Sequence, residues 1–291
     1  MAKPSGQFNV QVTWLWRAAF KLITPEGKIV FIDPWLKNNP LCPIEYKEIE
    51  KQKADVIVFT HAHHDHIGDT VEIAKSTGAM VVGAVDLRAM FQEKGIDLAR
   101  FVPLSYGGTG RAGDVSVSMV PAWHTSLPSW GVVLKFSNGF TVYHTGDTCL
   151  FSDMSLVKDL YEPHLVLIPV GDVYTMDTYA ASLACRKYIR PRYAIPMHYP
   201  GIITDTSPSH LGEKFRQQME GSGIEVIVMK PGETIRFLPT TRVYGLWAEG
   251  ETNEPRESFF YHRGVALGFP APGNRTEVYP VGGGALYVHL F

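Results

Sequence analysis

The sequence predicts an α/β protein in which two β-rich halves, each with helices on one side, pack sheet against sheet. Short apolar runs rich in β-branched residues, such as 55–59 (DVIVF) and 165–169 (LVLIP), alternate with segments of helical apolar spacing. A coarse internal repeat points the same way. Gly27-Lys28-Ile29-Val30-Phe31-Ile32-Asp33 precedes the run 54–59, and Gly139-Phe140-Thr141-Val142-Tyr143-His144 precedes the run 163–168. Each half then reads as a hairpin strand, a polar tip, a helix, a buried strand, a second tip and a second helix, a layering that buries both sheet faces. The composition agrees. The 291 residues are 45% hydrophobic and 19% charged, with 27 Gly and 20 Pro spread along the chain, so a large core needs no covalent staples.

Taken in order, 8–14 alternates as a strand, 20–23 is a second, and Pro25-Glu26-Gly27 turns into a third over 28–32. A short helix is expected over 45–52 and a buried strand over 55–59. A helix over 67–77 is closed by Gly78, and a strand over 79–82 leads to a helix over 85–94 stopped by Gly95. Strands follow at 115–120, 132–136 and 140–144, the last two flanking Ser137-Asn138-Gly139, a hairpin signal. Next come a helix from 154 to 160, a strand at 165–169, a helix from 177 to 189 capped by Asp177, and a strand at 193–196. A helix over 207–220 has Ser207 as cap and Pro208 at its first position, before strands at 224–229 and 234–238. The domain reading is 1–240 for the main body and 241–291 for a C-terminal extension that packs on it or at a subunit interface.

Several function classes recede on composition alone. Net charge is −2 and no basic run marks a nucleic-acid track. Cys42, Cys149 and Cys185 make no disulfide scaffold and no zinc knot. No stretch reads as a signal peptide or a membrane span, so a cytoplasmic enzyme with a small-molecule substrate and neither membrane nor nucleic-acid partner is expected.

The chemistry concentrates where the histidines fall. His61, His63, Asp65 and His66 lie within six residues, directly after the apolar run 55–59. A strand end is rigid, and a tight loop lets several side chains converge: His61 and His63 can face one metal, Asp65 and His66 a second. Imidazole and carboxylate suit zinc, and also manganese or iron. A polar loop of solvated histidines is the bland alternative. Further donors sit at other strand tips, His124 after 115–120, Asp147 after 140–144 and His198 after 193–196. Together they complete two three-ligand sets sharing one carboxylate, at the kind of sheet edge where α/β proteins build sites.

His61-x-His63-x-Asp65-His66, followed in order by His124, Asp147 and His198, resembles the signature of the metallo-β-lactamase superfamily of binuclear hydrolases. Ile32-Asp33-Pro34, Pro121-Ala122-Trp123-His124, Tyr143-His144-x-Gly146-Asp147-Thr148, Ile195-Pro196-Met197-His198-Tyr199 and Lys230-Pro231-Gly232-Glu233 resemble one branch more closely, the metal-dependent hydrolases near the ascorbate-6-phosphate lactonase-like enzymes. The likeness spans residues 10–238. It implies a four-layer αβ/βα sandwich of the metallo-β-lactamase type with two divalent ions at one edge, Zn2+ foremost and Mn2+ or Fe as options. It also implies a homo-oligomer. Carried over by position, His61, His63 and His124 would hold the first metal, Asp65, His66 and His198 the second, and Asp147 would bridge both. Asp65, His198 and Tyr199 are the residues expected at the reaction itself, in which a metal-bound hydroxide attacks a small cyclic ester or amide, as a lactonase does. A phosphodiesterase or nuclease-like hydrolase with the same centre is the alternative.

Two positions depart from the branch. Trp16-Arg17 stands where relatives usually have Gly-His, so Arg17 either contacts an anionic substrate group or is a surface residue, and Trp16 would narrow the mouth. His64 occupies a position that is often Gly. Around the ligands, Asp33 would accept a hydrogen bond from a ligand imidazole or cap a turn, and His144 would lock the Gly146-Asp147 turn or touch substrate. Asp172 and Tyr174 follow a strand at the same inferred edge. Tyr174 and Tyr199 are oxyanion-donor or packing candidates, and Trp35, Trp123 and Trp130 would form an aromatic rim.

Overall fold

The runs that read as strands form two seven-stranded sheets. The computed structural model describes residues 9–126, 128–199 and 208–237; the expected Ser207 cap and the 241–291 extension lie outside them. The first sheet contains β1 (Val10–Trp14), β2 (Phe20–Ile23), β3 (Ile29–Ile32), β4 (Val56–Val58), β5 (Met80–Ala84) and β6 (Phe101–Leu104). The second contains β7 (Thr109–Ala112), β8 (Val115–Pro121), β9 (Trp130–Lys135), β10 (Thr141–His144), β11 (Leu165–Pro169), β12 (Tyr193–Met197) and β13 (Glu225–Val226). The last strand, β14 (Thr234–Phe237), returns to flank β1, giving the orders β14-β1-β2-β3-β4-β5-β6 and β13-β12-β11-β10-β9-β8-β7. Helices α1 (Ile44–Lys47), α2 (His64–Ile67), α3 (Thr70–Thr77) and α4 (Arg88–Glu93) occupy the connections of the first sheet. Helices α5 (Met154–Tyr161), α6 (Thr178–Leu183) and α7 (Pro208–Gln218) occupy those of the second.

The internal repeat is real at the level of topology. In each half an antiparallel meander ends in a strand, β3 or β10, that pairs in parallel with the strand after the next helix, β4 or β11. Every residue of β4, β10, β11 and β12 is buried, as expected of strands covered on both faces. The sheets meet through large rings. Phe59 lies 5.3 Å from Trp130, and Phe140 lies 5.2 Å from Phe237, centroid to centroid. Truncating Phe59 to Ala would cost about 3–5 kcal/mol through the cavity it leaves.

Three features differ from the sequence reading. Strands β6 and β7 were not expected; both are edge strands, one carrying Pro103 and the other reading Thr-Gly-Arg-Ala, so neither shows apolar alternation. The helix expected over 67–77 is broken. His64–Ile67 forms its own turn, and Gly68 (φ 39°) separates it from α3. A Cβ on Gly68 would lie 2.5 Å from the Pro34 carbonyl oxygen, so the chain needs glycine to pass the loop after β3. Asp69 fixes the same crossing by accepting from the Leu36 and Lys37 amides at 2.7 and 3.0 Å. Finally, the helix from 177 to 189 is capped as expected, Asp177 accepting from Ala180 N at 2.7 Å, but widens to π geometry over Ala184–Ile189.

Candidate metal centre

Parallel pairing of β3 with β4 brings Asp33 and Thr60 to one sheet edge. Asp33, fully buried, accepts from the Thr60 amide, the Thr60 hydroxyl and His66 Nδ1, each at 2.7 Å. The second sheet is clamped to the same edge: Trp130 N donates to Thr60 O at 3.0 Å, and His61 bridges to Ser129. Asp147 follows β10 through Gly146 (φ 64°), where a Cβ would meet the Trp130 carbonyl oxygen at 2.7 Å. His144 settles that turn. Its Nδ1 accepts from Gly146 N at 3.1 Å, which makes Nε2 the donor to Ala18 O at 3.0 Å. His198 (φ 54°) follows β12, and its amide donates to Arg17 O at 3.1 Å.

This framework gathers the seven sequence-predicted ligands. His61, His63 and His124 converge, with His61 Nε2 and His124 Nε2 at 3.0 and 3.2 Å from His63 Nδ1. Asp65, His66 and His198 form a second group, with His198 Nε2 at 3.6 Å from Asp65 Oδ2 and His66 Nε2 at 4.0 Å from Asp65 Oδ1. Asp147 lies between the groups. Its Oδ2 is 3.1 Å from His198 Nε2, 3.3 Å from His66 Nε2 and 3.7 Å from His124 Nε2. The approaches from His66 and His198 lack hydrogen-bond alignment, so His66 Nε2, His198 Nε2 and Asp147 Oδ1 are buried without partners. Two imidazole nitrogens crowded within 3.3 Å of one carboxylate oxygen without aligned hydrogen bonds, beside a buried unpaired carboxylate oxygen, form a cluster that a cation would satisfy. The donor set of imidazoles and carboxylates therefore fits divalent metal ions.

The electrostatics prepare the ligands. Burial, reinforced by charge on His66, lowers the His61 pKa to about 3, which favours the neutral imidazole, the form that can ligate a metal. Burial opposes charge on His66, but Asp147 and Asp33 outweigh it and hold the imidazole well above its usual 6.5. Burial likewise opposes ionisation of Asp147, yet His198 and His66 hold it well below 3.8. Asp65 is also lowered: burial works against it, while His198, His66 and then Arg17 dominate.

The remaining candidates separate cleanly. Asp33 orients His66, the arrangement that fixes a ligand tautomer. Arg17 reaches the site, with Nε 3.8 Å from Asp65 Oδ2 and Nη1 donating to the Tyr199 carbonyl at 2.9 Å. Trp16, 2% exposed, does not narrow a mouth; its ring packs 5.9 Å from that of Tyr199. Tyr199 is 1% exposed, rests against Trp14 and Trp16, and points its hydroxyl at Gly212 of α7. It therefore meets the site through its backbone carbonyl rather than its phenol. Trp130 is fully buried against Phe59, and Trp35 sits edge-on to the solvated His64. Of the three tryptophans only Trp123 stands at an open rim, beside a cleft it shares with His124 and Tyr174. Asp172 turns the loop that carries Tyr174, accepting from Val173 N through its carboxylate at 2.8 Å. Sequence reasoning missed Thr60, whose amide and hydroxyl engage both Asp33 oxygens; its place between the strand and His61 was the available signal.

Comparison with known proteins agrees with this geometry. Residues 28–199 match the beta-lactamase superfamily domain. The chain is 42% identical over 240 residues to a UPF0173 metal-dependent hydrolase of Chloroflexus aurantiacus, covering 78% of this chain and 97% of the relative. It is 43% identical over 236 residues to a namesake in Pyrobaculum arsenaticum, covering 78% of this chain and all of the relative's length (100%). A metallo hydrolase from the archaeon Ignicoccus hospitalis superposes with a TM-score of 0.69 at 34% identity, covering 79% of this chain and 98% of that one. The metallo-beta-lactamase fold protein YhfI of Bacillus subtilis, 13% identical, shares the fold with a TM-score of 0.63 over 79% of this chain and 100% of its own. The polar strand tips that converge on Asp147 are thus those of a metal-dependent hydrolase, and the chain belongs to the UPF0173 metal-dependent hydrolase family of the metallo-β-lactamase superfamily.

Proposed function

We propose that this metal-dependent hydrolase uses two divalent ions, Zn2+ foremost, to open a small cyclic ester or amide. The observation that carries the two-ion reading is the position of Asp147 Oδ2, within 3.7 Å of imidazole nitrogens from both ligand groups. His61, His63 and His124 would hold one ion, Asp65, His66 and His198 the other, and Asp147 both. Bound there, the ions would lower the pKa of a water toward neutrality and polarise the scissile carbonyl.

The chain's own groups do the rest. Asp33 takes the Nδ1 proton of His66 in a hydrogen bond, so Nε2 is the atom presented inward. Arg17 supports the ionised form of Asp65, and Asp65 would accept a hydrogen bond from the attacking water and aim it. Arg17 also links the Tyr199 carbonyl to that carboxylate. Lactone or cyclic amide ring opening suits such a site, because hydrolysis gives a single product and no leaving group has to depart separately.

The test is proton release by metal-replete protein across lactones, cyclic amides, aryl esters, β-lactams and phosphodiesters, with metal quantified in the same sample. Turnover of lactones or cyclic amides, lost on chelation, is the expected result. Turnover confined to phosphodiesters would replace the reading with the phosphodiesterase alternative, and no turnover with metal bound would refute the assigned reaction.

A further inference from the structure

A cleft of about 640 Å³ opens beside His124, at the solvent side of the first ligand group. Its walls come from four separate segments that carry Tyr106, Trp123, Cys149 and the pair Val173-Tyr174. Ten large hydrophobic residues are exposed among the described residues, and four of them border this one cleft: Tyr106 at 51%, Trp123 at 64%, Val173 at 82% and Tyr174 at 73%. Scattered singly, such residues need no explanation; gathered around one concavity that shares a wall with a metal-ligand histidine, they mark a binding surface.

The cleft is also held in shape. Trp123 is backed by Phe151, the rings nearly parallel at 13° with centroids 5.9 Å apart, so one face is supported while most of the indole stays open. Tyr106 is fixed by its hydroxyl, which donates to Ser129 O at 2.6 Å. The Val173-Tyr174 wall is built at a cost. Asp172 (φ 60°) and Val173 (φ 52°) both take the left-handed conformation, an outlier for a β-branched residue, and this turn presents the two side chains outward. Among the described residues the lining contains no lysine, arginine, aspartate or glutamate, so nothing there pairs with a charged substituent.

We infer that this cleft is the subsite for an aromatic, uncharged moiety of the substrate, seated between Trp123 and Tyr174 with the scissile bond directed at His124. A flat ring matches the open indole face opposite Phe151 and the tyrosine side chains that line the same cleft, and ring-to-ring contact adds to what area burial alone provides. The inference rests on the hydrolase reading only in calling the occupant a substrate group; the shape and chemistry of the cleft stand independently.

Cys149 supplies the test. It is the exposed cysteine, Cys42 and Cys185 being buried, and it lies in the cleft wall. The rate of Cys149 modification would be measured by mass spectrometry on metal-replete protein over a concentration series of N-phenylmaleimide and of N-ethylmaleimide. Each rate would be divided by the same reagent's rate with glutathione. The phenyl reagent is expected to saturate and to gain about tenfold over the ethyl reagent, and Trp123→Ala is expected to remove the gain. Trp123 is exposed and its backbone bonds to Thr148 and Cys149 survive truncation, so the variant keeps its fold and metal content. Linear kinetics with no phenyl advantage would overturn the subsite, as would an unreactive Cys149, because an open cleft must admit both reagents. Labelling needs no turnover. A silent hydrolysis panel with saturable labelling would therefore sink the reaction and leave the subsite standing.

Discussion

The two candidate ligand groups flank Asp147 and are held in different ways. In the Asp65-His66-His198 group the imidazoles are almost fully buried, and each ligand is restrained from behind: His66 by Asp33, Asp65 by Arg17, and His198 by its amide bond to the Arg17 carbonyl. In the His61-His63-His124 group His61 is buried and the His124 side chain is 7% exposed, but His63 is exposed, and the cleft begins beside His124. The imidazoles of one group lie in the core, where a polar atom without a partner is expensive; the other group ends at the surface in His63, where water can stand in. Metal binding at the inner, Asp65-His66-His198 group should therefore be coupled to folding more tightly than at the outer one.

The largest effect should come from breaking the inner restraint. Asp33→Ala would strand the Thr60 amide, the Thr60 hydroxyl and His66 Nδ1 in the core. A loss of about 3–5 kcal/mol in urea unfolding of the metal-free protein is expected, with a metal-affinity loss of about 10–100-fold. His63→Ala attacks the outer group instead. Metal-free stability should stay within about 0.5 kcal/mol of the parent while one equivalent of metal is lost on dialysis. A stability loss as large as that of Asp33→Ala would erase the distinction between the groups.

Proton release sharpens the same contrast more gently. In the metal-free protein His66 and His198 sit above their usual 6.5, their opposing burial outweighed first of all by Asp147, so both keep their protons to higher pH than a free imidazole. His61 and His124 are lowered, chiefly by burial, and lose theirs at lower pH than a free imidazole does. Metal entering the inner group must displace protons, so its affinity should rise with pH through and above the ordinary histidine range, whereas entry at His61 and His124 should release few. Titrating metal into weakly buffered protein, for the parent and for His63→Ala, would measure the difference; equal release per ion from both groups would contradict it. The smallest effect is expected at His64, whose side chain is 85% exposed although it stands inside the motif. His64→Ala should change unfolding by less than about 0.5 kcal/mol and metal content not at all.

The inner and outer groups also differ in how far the sequence revealed them. The ligands were legible because metal chemistry restricts residue type and because each donor follows an apolar strand. The restraint by Asp33 was legible as one of two readings, since a metal-bound imidazole needs an acceptor on its outer nitrogen. What was not legible depends on contacts between distant segments. The break at Gly68 is imposed by Pro34, some thirty residues earlier in the chain. The Tyr199 phenol turns away because His198 takes a positive φ and the ring joins Trp14 and Trp16. The rim assembles from loops after four different strands, so that Trp123 faces the cleft while Trp130, seven residues later, fills the core against Phe59. Edge strands β6 and β7 carry weak patterns because one side of each makes no sheet hydrogen bonds to a neighbour.

The central claim is that Asp147 joins two metal sites of unequal burial. Counting bound metal by native mass spectrometry on zinc-replete protein, beside Asp147→Ala, tests it directly. The account predicts two ions per chain in the parent, one of them lost first on graded chelation, and both weakened together by the substitution. A single ion in the parent, or two ions retained unchanged in Asp147→Ala, would contradict it.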